Sequence, residues 1–220
     1  MISQRYEGIV DGYNEYVYHI LGCGAIGSAA ATQVARMGAT NIHLYDMDTV
    51  DVVNIGVSIY GHIDIDKPKV DALANIIRDI NPECRVTKHN ERFDEHQVDD
   101  KNDKEIVVVG FDSMDSRKYA IENVLKKKKP YLLIDGRMGA EHYQQYSFKS
   151  PTLRSYMKTW YSDDEGSVDP CNAKATSYCS NMSGSFICNT IKKVINEEPY
   201  QESFSFNFPT MMLNYRGFTT

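Results

Sequence analysis

The stretch Gly22-Cys23-Gly24-Ala25-Ile26-Gly27 constrains this chain more than any other. It follows an apolar strand-like run, Val17 to Leu21, and opens a helix-like run, Ile26 to Met37, before a second strand-like run, Asn41 to Tyr45. Glycines at these three places let the backbone turn tightly, approach a phosphate closely and pack the helix on the strand. The helix N-terminus then faces the anion. Asp46 lies nineteen residues past Gly27, where an acid can accept hydrogen bonds from ribose hydroxyls. This pattern fits an adenosine nucleotide, but by itself it fits a dehydrogenase or a flavoprotein as well as an ATP user.

The rest of the chain extends the same alternation. A helical pattern over Pro68 to Ile80 carries Val70, Leu73, Ala74, Ile77 and Ile80 on one face and stops at Asn81-Pro82. Short strands are expected at Arg85 to Lys88 and at Glu105 to Gly110, the latter built on Ile106 to Val109 and expected to be buried on both faces. A helix from Ser116 to Lys127, strands at Tyr131 to Ile134 and Tyr143 to Phe148, a helix from Ser183 to Ile195 and a strand from Ser203 to Phe208 follow. The fold class expected is α/β: a Rossmann-like, mostly parallel sheet with helices on both faces and antiparallel C-terminal strands. One domain is expected over 1–220, with an N-terminal arm at 1–16 and a polar crossover loop at 150–178.

Composition excludes several classes. The 220 residues are 42% apolar and 25% charged, ordinary globular usage, so neither disorder nor a fibrous class is indicated. The net charge of -6 is spread along the chain, which argues against a nucleic-acid surface. The basic block Lys126 to Lys129 reads as a solvated helix end. No leader pattern opens the sequence and no run approaches the ~20 apolar residues of a membrane span, so a cytoplasmic location and no membrane partner are expected. Cys23, Cys84, Cys171, Cys179 and Cys188 are odd in number, scattered, and form no C-x-x-C pair, so reduced thiols are expected.

The residues after the second strand separate the nucleotide readings: Asp46-Met47-Asp48-Thr49-Val50, Asn54, Asp66-Lys67-Pro68-Lys69, and Phe111-Asp112 followed by Arg117. A dehydrogenase has no use for this set. Together with the glycine turn it resembles the ThiF/MoeB adenylyltransferases, the superfamily that includes the ubiquitin-activating enzymes, in order and close to family spacing from Val17 to Ile195. The resemblance implies an ATP-dependent enzyme that adenylates the C-terminal carboxylate of a ubiquitin-like protein, a sulfur-carrier protein or a peptide. It implies ATP and Mg2+, with Gly22, Gly24, Ala25, Ile26 and Gly27 at the phosphates, Asp46 on the ribose, Asp48 near it, Asn54 and Lys69 at the triphosphate and the attacked carboxylate, and Asp112 on the magnesium. A homodimer is also implied. The physics agrees, since bringing a carboxylate to a phosphate requires a fixed cation and a metal ion.

Departures from the family pattern matter equally. The third residue after Asn54 is usually an arginine and here is Val57. Arg5, reaching in from a second subunit, and Arg137, which would grip near the acyl site, are candidates to replace it. Unreplaced, the loss would leave a catalytically weakened partner subunit of a heterodimer. No zinc site is expected. Cys171, after Pro170, and Cys179, before the last helix, stand where relatives carry cysteines that form thioester or persulfide links; a thiolate at a helix N-terminus would have a lowered pKa. Cys23, Cys84 and Cys188 read as packed side chains, and His19 and His43 as core or edge residues. Tyr143, Tyr146, Tyr156 and Tyr161 could line a peptide groove, or be half-buried sheet residues.

Overall fold

The computed structural model describes residues 5–93, 104–163 and 175–216. Eight strands form one sheet: β1 (Val17–Leu21), β2 (Asn41–Tyr45), β3 (Arg85–His89), β4 (Glu105–Val109), β5 (Leu132–Gly139), β6 (His142–Lys149), β7 (Ser203–Asn207) and β8 (Met212–Arg216). Their order is β3-β2-β1-β4-β5-β6-β7-β8. Strands β1 to β5 are parallel and β6 to β8 antiparallel. Chain order reverses between β1 and β4, so the crevice for a ligand lies beyond Leu21 and Val109.

Helices α1 (Ala25–Arg36), α3 (Lys69–Ile80) and α6 (Ser177–Ile195) cover one face; α4 (Met114–Lys127) and α5 (Leu153–Met157) cover the other. A short α2 (Val52–Ile55) lies between β2 and α3. Strand β4 explains why both faces are apolar: Ile106 and Val108 join the core under α1 and α3, while Val107 and Val109 join that under α4. Helix α3 buries Val70, Leu73, Ala74 and Ile77 and ends at Asn81, whose Nδ2 donates to the Ala39 carbonyl at 2.9 Å. Among the described residues no helix is long and apolar enough to cross a membrane.

Two boundaries and two added elements depart most from the sequence expectation. Strand β5 continues to Gly139 instead of stopping at Ile134, because Asp135 and Arg137 neutralise one another inside the protein. Helix α6 starts at Ser177, not Ser183; its polar first turns bury Ser180 and Ser183 against α1. The crossover region holds α5, started by a capping box in which Thr152 accepts from Ser155 N. Strand β8 was not anticipated, since Met212–Arg216 carries its apolar residues exposed at the sheet edge.

Candidate functional site

The glycine turn is shaped by what side chains it cannot hold. Gly22 has φ +89, and a Cβ on Gly27 would stand 1.8 Å from the Gly22 carbonyl oxygen. The turn therefore folds onto the start of α1, whose N-cap, Gly24, supplies no side-chain cap, leaving the helix's first amides at the crevice. This cradle fits a phosphate.

Asp46, just past β2, braces the turn: one oxygen accepts the Cys23 amide at 2.7 Å and the other the Asp48 amide at 2.9 Å. Each oxygen keeps a lone pair for a ribose hydroxyl. Burial raises the Asp46 pKa, and Lys69 together with the two N–H donors pulls it back. Lys69 arrives from the other direction. The chain pairs Thr49 with Pro68, the Lys69 amide donates to the Asp48 carbonyl at 2.9 Å, and the ammonium then lies 2.7 Å from Asp48 and 4.0 Å from Asp46. Burial alone would lower the Lys69 pKa; the Asp48 hydrogen bond and the two carboxylate charges outweigh it, so the net direction is upward and the lysine stays charged. Tyr60, which the sequence did not single out, joins the two halves by donating to the Cys23 carbonyl at 2.6 Å.

Asn54 closes the α2 capping box, its Oδ1 accepting the Asp51 amide at 2.9 Å, which leaves its Nδ2 donors for a ligand. Val57 is half-buried at the end of α2 and brings no charge. Asp112 is exposed in the loop between β4 and α4. Among the described residues no three His, Cys, Asp or Glu side chains are arranged to hold a metal. One carboxylate supplemented by phosphate oxygens is nonetheless the donor set magnesium takes at nucleotide sites, and Asp112 fits it.

The three arginines occupy different surroundings. Arg117 is buried and donates to Asp135, to the Gly136 carbonyl at 2.7 Å and to the Phe111 carbonyl, so it braces the Asp112 loop from beneath. Arg137, also buried, donates from Nε to Asp135 at 2.9 Å and from Nη1 to the Thr159 carbonyl at 2.7 Å, with its guanidinium 4.4 Å from the Tyr146 ring centroid and 5.2 Å from that of Tyr161. Its donors are spent inside the protein, which makes it a tether for the crossover segment and not a free grip on substrate. Arg5 sits beside Tyr6, whose hydroxyl donates to the Arg36 carbonyl at 3.0 Å. That is the far end of α1, about 18 Å from the turn for twelve residues of helix. Arg5 is out of reach of its own chain's turn. Among the described residues, Lys69 is the cation that ion-pairs with the Asp46 and Asp48 cluster.

Cys179 is not placed as a thiolate-stabilising helix N-terminus would require. It lies inside the first turn of α6, buried, and burial with a contribution from Glu141 pushes its thiol up to about 11, not down. Cys171 lies outside the described residues. Cys23, Cys84 and Cys188 are buried, and burial raises each thiol. His19 is buried in β1 beside Glu105, and His43 is half-buried beside His89. Asp135 was missed, although an acid closing the apolar run Leu132 to Ile134, two residues before an arginine on the same face, signals a buried ion pair.

The sequence profile of the ThiF family matches residues 13–219. The NEDD8-activating enzyme E1 catalytic subunit of Arabidopsis thaliana is 28% identical over 114 residues, 51% of this chain and 25% of that protein. The tRNA threonylcarbamoyladenosine dehydratase of Bacillus subtilis (strain 168) is 43% identical over 68 residues, 30% of this chain and 27% of that protein. The chain thus spans about a quarter of the length of these curated relatives. In fold it is similar to PaaA, with a TM-score of 0.71 at 17% identity over 94% of this chain and 66% of that one. It is similar also to E. coli MccB solved with ATP, with a TM-score of 0.68 at 15% identity over 93% and 64%.

Proposed function

The chain belongs to the ThiF family, and from that premise we propose that it is an ATP-dependent adenylyltransferase activating the C-terminal carboxylate of a ubiquitin-like protein, a sulfur-carrier protein or a peptide. The observation that carries this reading is the meeting of Asp46, Asp48 and Lys69 at the mouth of the glycine turn. The turn's amides and the α1 N-terminus receive the phosphates. Asp46 takes the ribose while holding the turn closed. Lys69 holds its positive charge where two anions must approach, and Asn54 adds an amide donor. Asp112 would hold magnesium, which supplies charge neutralisation at the phosphates. An oxygen of the substrate carboxylate attacks the α-phosphorus, the bond to the bridging oxygen breaks, and pyrophosphate leaves with the electron pair. A cytoplasmic setting goes with ATP as co-substrate.

The names of the relatives support a protein or peptide substrate: one activates NEDD8, and E. coli MccB has been crystallised with MccA as well as with ATP. The absent arginine at Val57 favours a homodimer in which a second chain supplies a cation. Met47, Val52, Val53 and Ile63, on the stretch between β2 and α3 that also carries Asp48 and Asn54, are exposed apolar side chains, which supports such a contact. The same Val57 supports a second reading, a weakened nucleotide-binding subunit of a heterodimer. ATP–pyrophosphate exchange with candidate carriers and peptides tests both. Exchange by the chain alone supports the enzyme; ATP binding without exchange, restored by a catalytic homologue, supports the partner subunit.

A further inference from the structure

The crossover segment is fastened to the first residue of α4 at both of that residue's main-chain polar groups. The Met114 amide donates to the Asp163 carboxylate at 3.1 and 3.3 Å, and the Met114 carbonyl accepts from Trp160 Nε1 at 3.1 Å. One turn further on, the Lys118 ammonium lies 5.0 Å over the Trp160 ring. The α4 N-cap, Ser113, spends its hydroxyl oxygen on the Ser116 amide at 3.1 Å. Met114 N–H, which has no acceptor within the helix, is therefore served from outside by Asp163. An anion there is also favoured by the helix dipole. Asp112 stands two residues before Met114, and on its other side the Phe111 carbonyl is held by Arg117. The backbone that carries the Asp112 carboxylate is thus clamped at 111 from beneath and at 114 from the crossover segment.

We propose that Asp163 is a positioning residue for the carboxylate that would hold magnesium: by accepting the Met114 amide it fixes the backbone that carries Asp112, so that the seating of Trp160 and Asp163 on the start of α4 and the readiness of the metal site are one event. This rests on the reading of Asp112 as the magnesium ligand, and not on which acyl group is activated. Asp163 is exposed, so its replacement spares the core. Removing one such hydrogen bond should raise the magnesium concentration that half-saturates ATP binding by about three- to tenfold.

The test uses the full chain, calorimetric titration with ATP at graded Mg2+, and no acyl substrate. Asp163→Ala should raise the half-saturating Mg2+ while leaving magnesium-free ATP binding and Tm in place. Asp163→Asn should restore it to within about twofold, since a carboxamide oxygen still accepts the amide. In the metal-free protein, the Met114 amide should lose hydrogen-exchange protection by NMR in the Ala variant and keep it in the Asn variant. Trp160 is the only tryptophan, so its emission should shift in the Ala variant without added ligand. An unchanged magnesium requirement, wild-type ATP binding that ignores Mg2+, an Asn variant as impaired as Ala, or unaltered Met114 protection would each overturn the proposal. A wild type that binds Mg-ATP but exchanges no pyrophosphate with any carrier would instead remove the adenylation reading and leave the positioning result standing.

Discussion

Replacing Asp135 by asparagine should destabilise this protein more than almost any other isosteric change. The carboxylate has no exposure, and both arginines that share it, Arg117 and Arg137, are 4% exposed. Asparagine keeps the volume and one acceptor but leaves two guanidinium groups buried without a counter-charge. Breaking a buried pair from one side costs about 3–5 kcal/mol. The lower end applies here, because Arg137 retains its Thr159 acceptors and its tyrosine rings, and Arg117 retains two carbonyls. For a chain of this size ~3 kcal/mol corresponds to a fall in Tm of roughly 6–12 °C. Differential scanning calorimetry of the wild type, Asp135→Asn, Arg137→Met and the double variant measures it. The double variant should be less destabilised than the sum of the two single changes, since it removes one of the stranded cations. A drop under about 2 °C for Asp135→Asn, or strict additivity in the double variant, would refute the argument.

Gly27→Ala should abolish ATP binding or folding, because its Cβ would meet the Gly22 oxygen at 1.8 Å, while Gly24→Ala, with nothing within 4 Å, should leave Tm within ~1 °C; circular dichroism melts and ATP titration separate the two. Lys69→Met should cut ATP–pyrophosphate exchange by at least about a hundredfold if the ammonium stabilises the transition state, and a tenfold or smaller loss would count against its role. Val57→Arg should raise exchange by the isolated chain, and no gain would favour a cation supplied in trans. Burial, then the His19 and His89 charges, lowers the His43 pKa from 6.5 to about 4, and burial also lowers that of His89. The unfolded chain therefore binds more protons than the folded one between pH 6.5 and 4, so stability should fall as pH drops through that window and level off below it. The partial exposure of His43 limits its share to about 1–2 kcal/mol. Urea midpoints at pH 7.5, 6 and 4.5 measure the slope, and His43→Gln should flatten it.

The parts of this fold that could be read in the sequence are those where burial is continuous. Val17 to Leu21, Asn41 to Tyr45 and the start of the Ile106 to Val109 run appear where periodicity placed them, since short apolar runs bounded by turns have few alternatives. The elements misjudged are those stabilised by a distant partner. Asp135, Gly136 and Arg137 look like a turn until Arg117 is brought beneath them from eighteen residues away. The first turns of α6 look like loop because Ser177 to Asn181 are polar, and only the close approach of α1 gives small residues such as Ser183 a reason to be helical. The site divides the same way. Lys69 and Asp48 could each be singled out from their motifs but not as partners, since the contact across 21 positions depends on the chain return at Thr49 and Pro68, and Asp163 meets Met114 across 49 positions and leaves no local trace.

The packing of α6 on α1 also bears on how the chain is made. Ser180 Oγ donates to the Ala25 carbonyl across 155 residues, so the helix that opens at the glycine turn is covered by an element synthesised long after it. At translation speeds of roughly 5–20 residues per second, about 8–30 s separate the two emerging from the ribosome. Throughout that interval the alanine-lined flank of α1 has only water or a chaperone to lie against. A nascent chain stalled after β6 would hold every residue of the glycine turn and yet remain a sticky, unfinished half-sandwich.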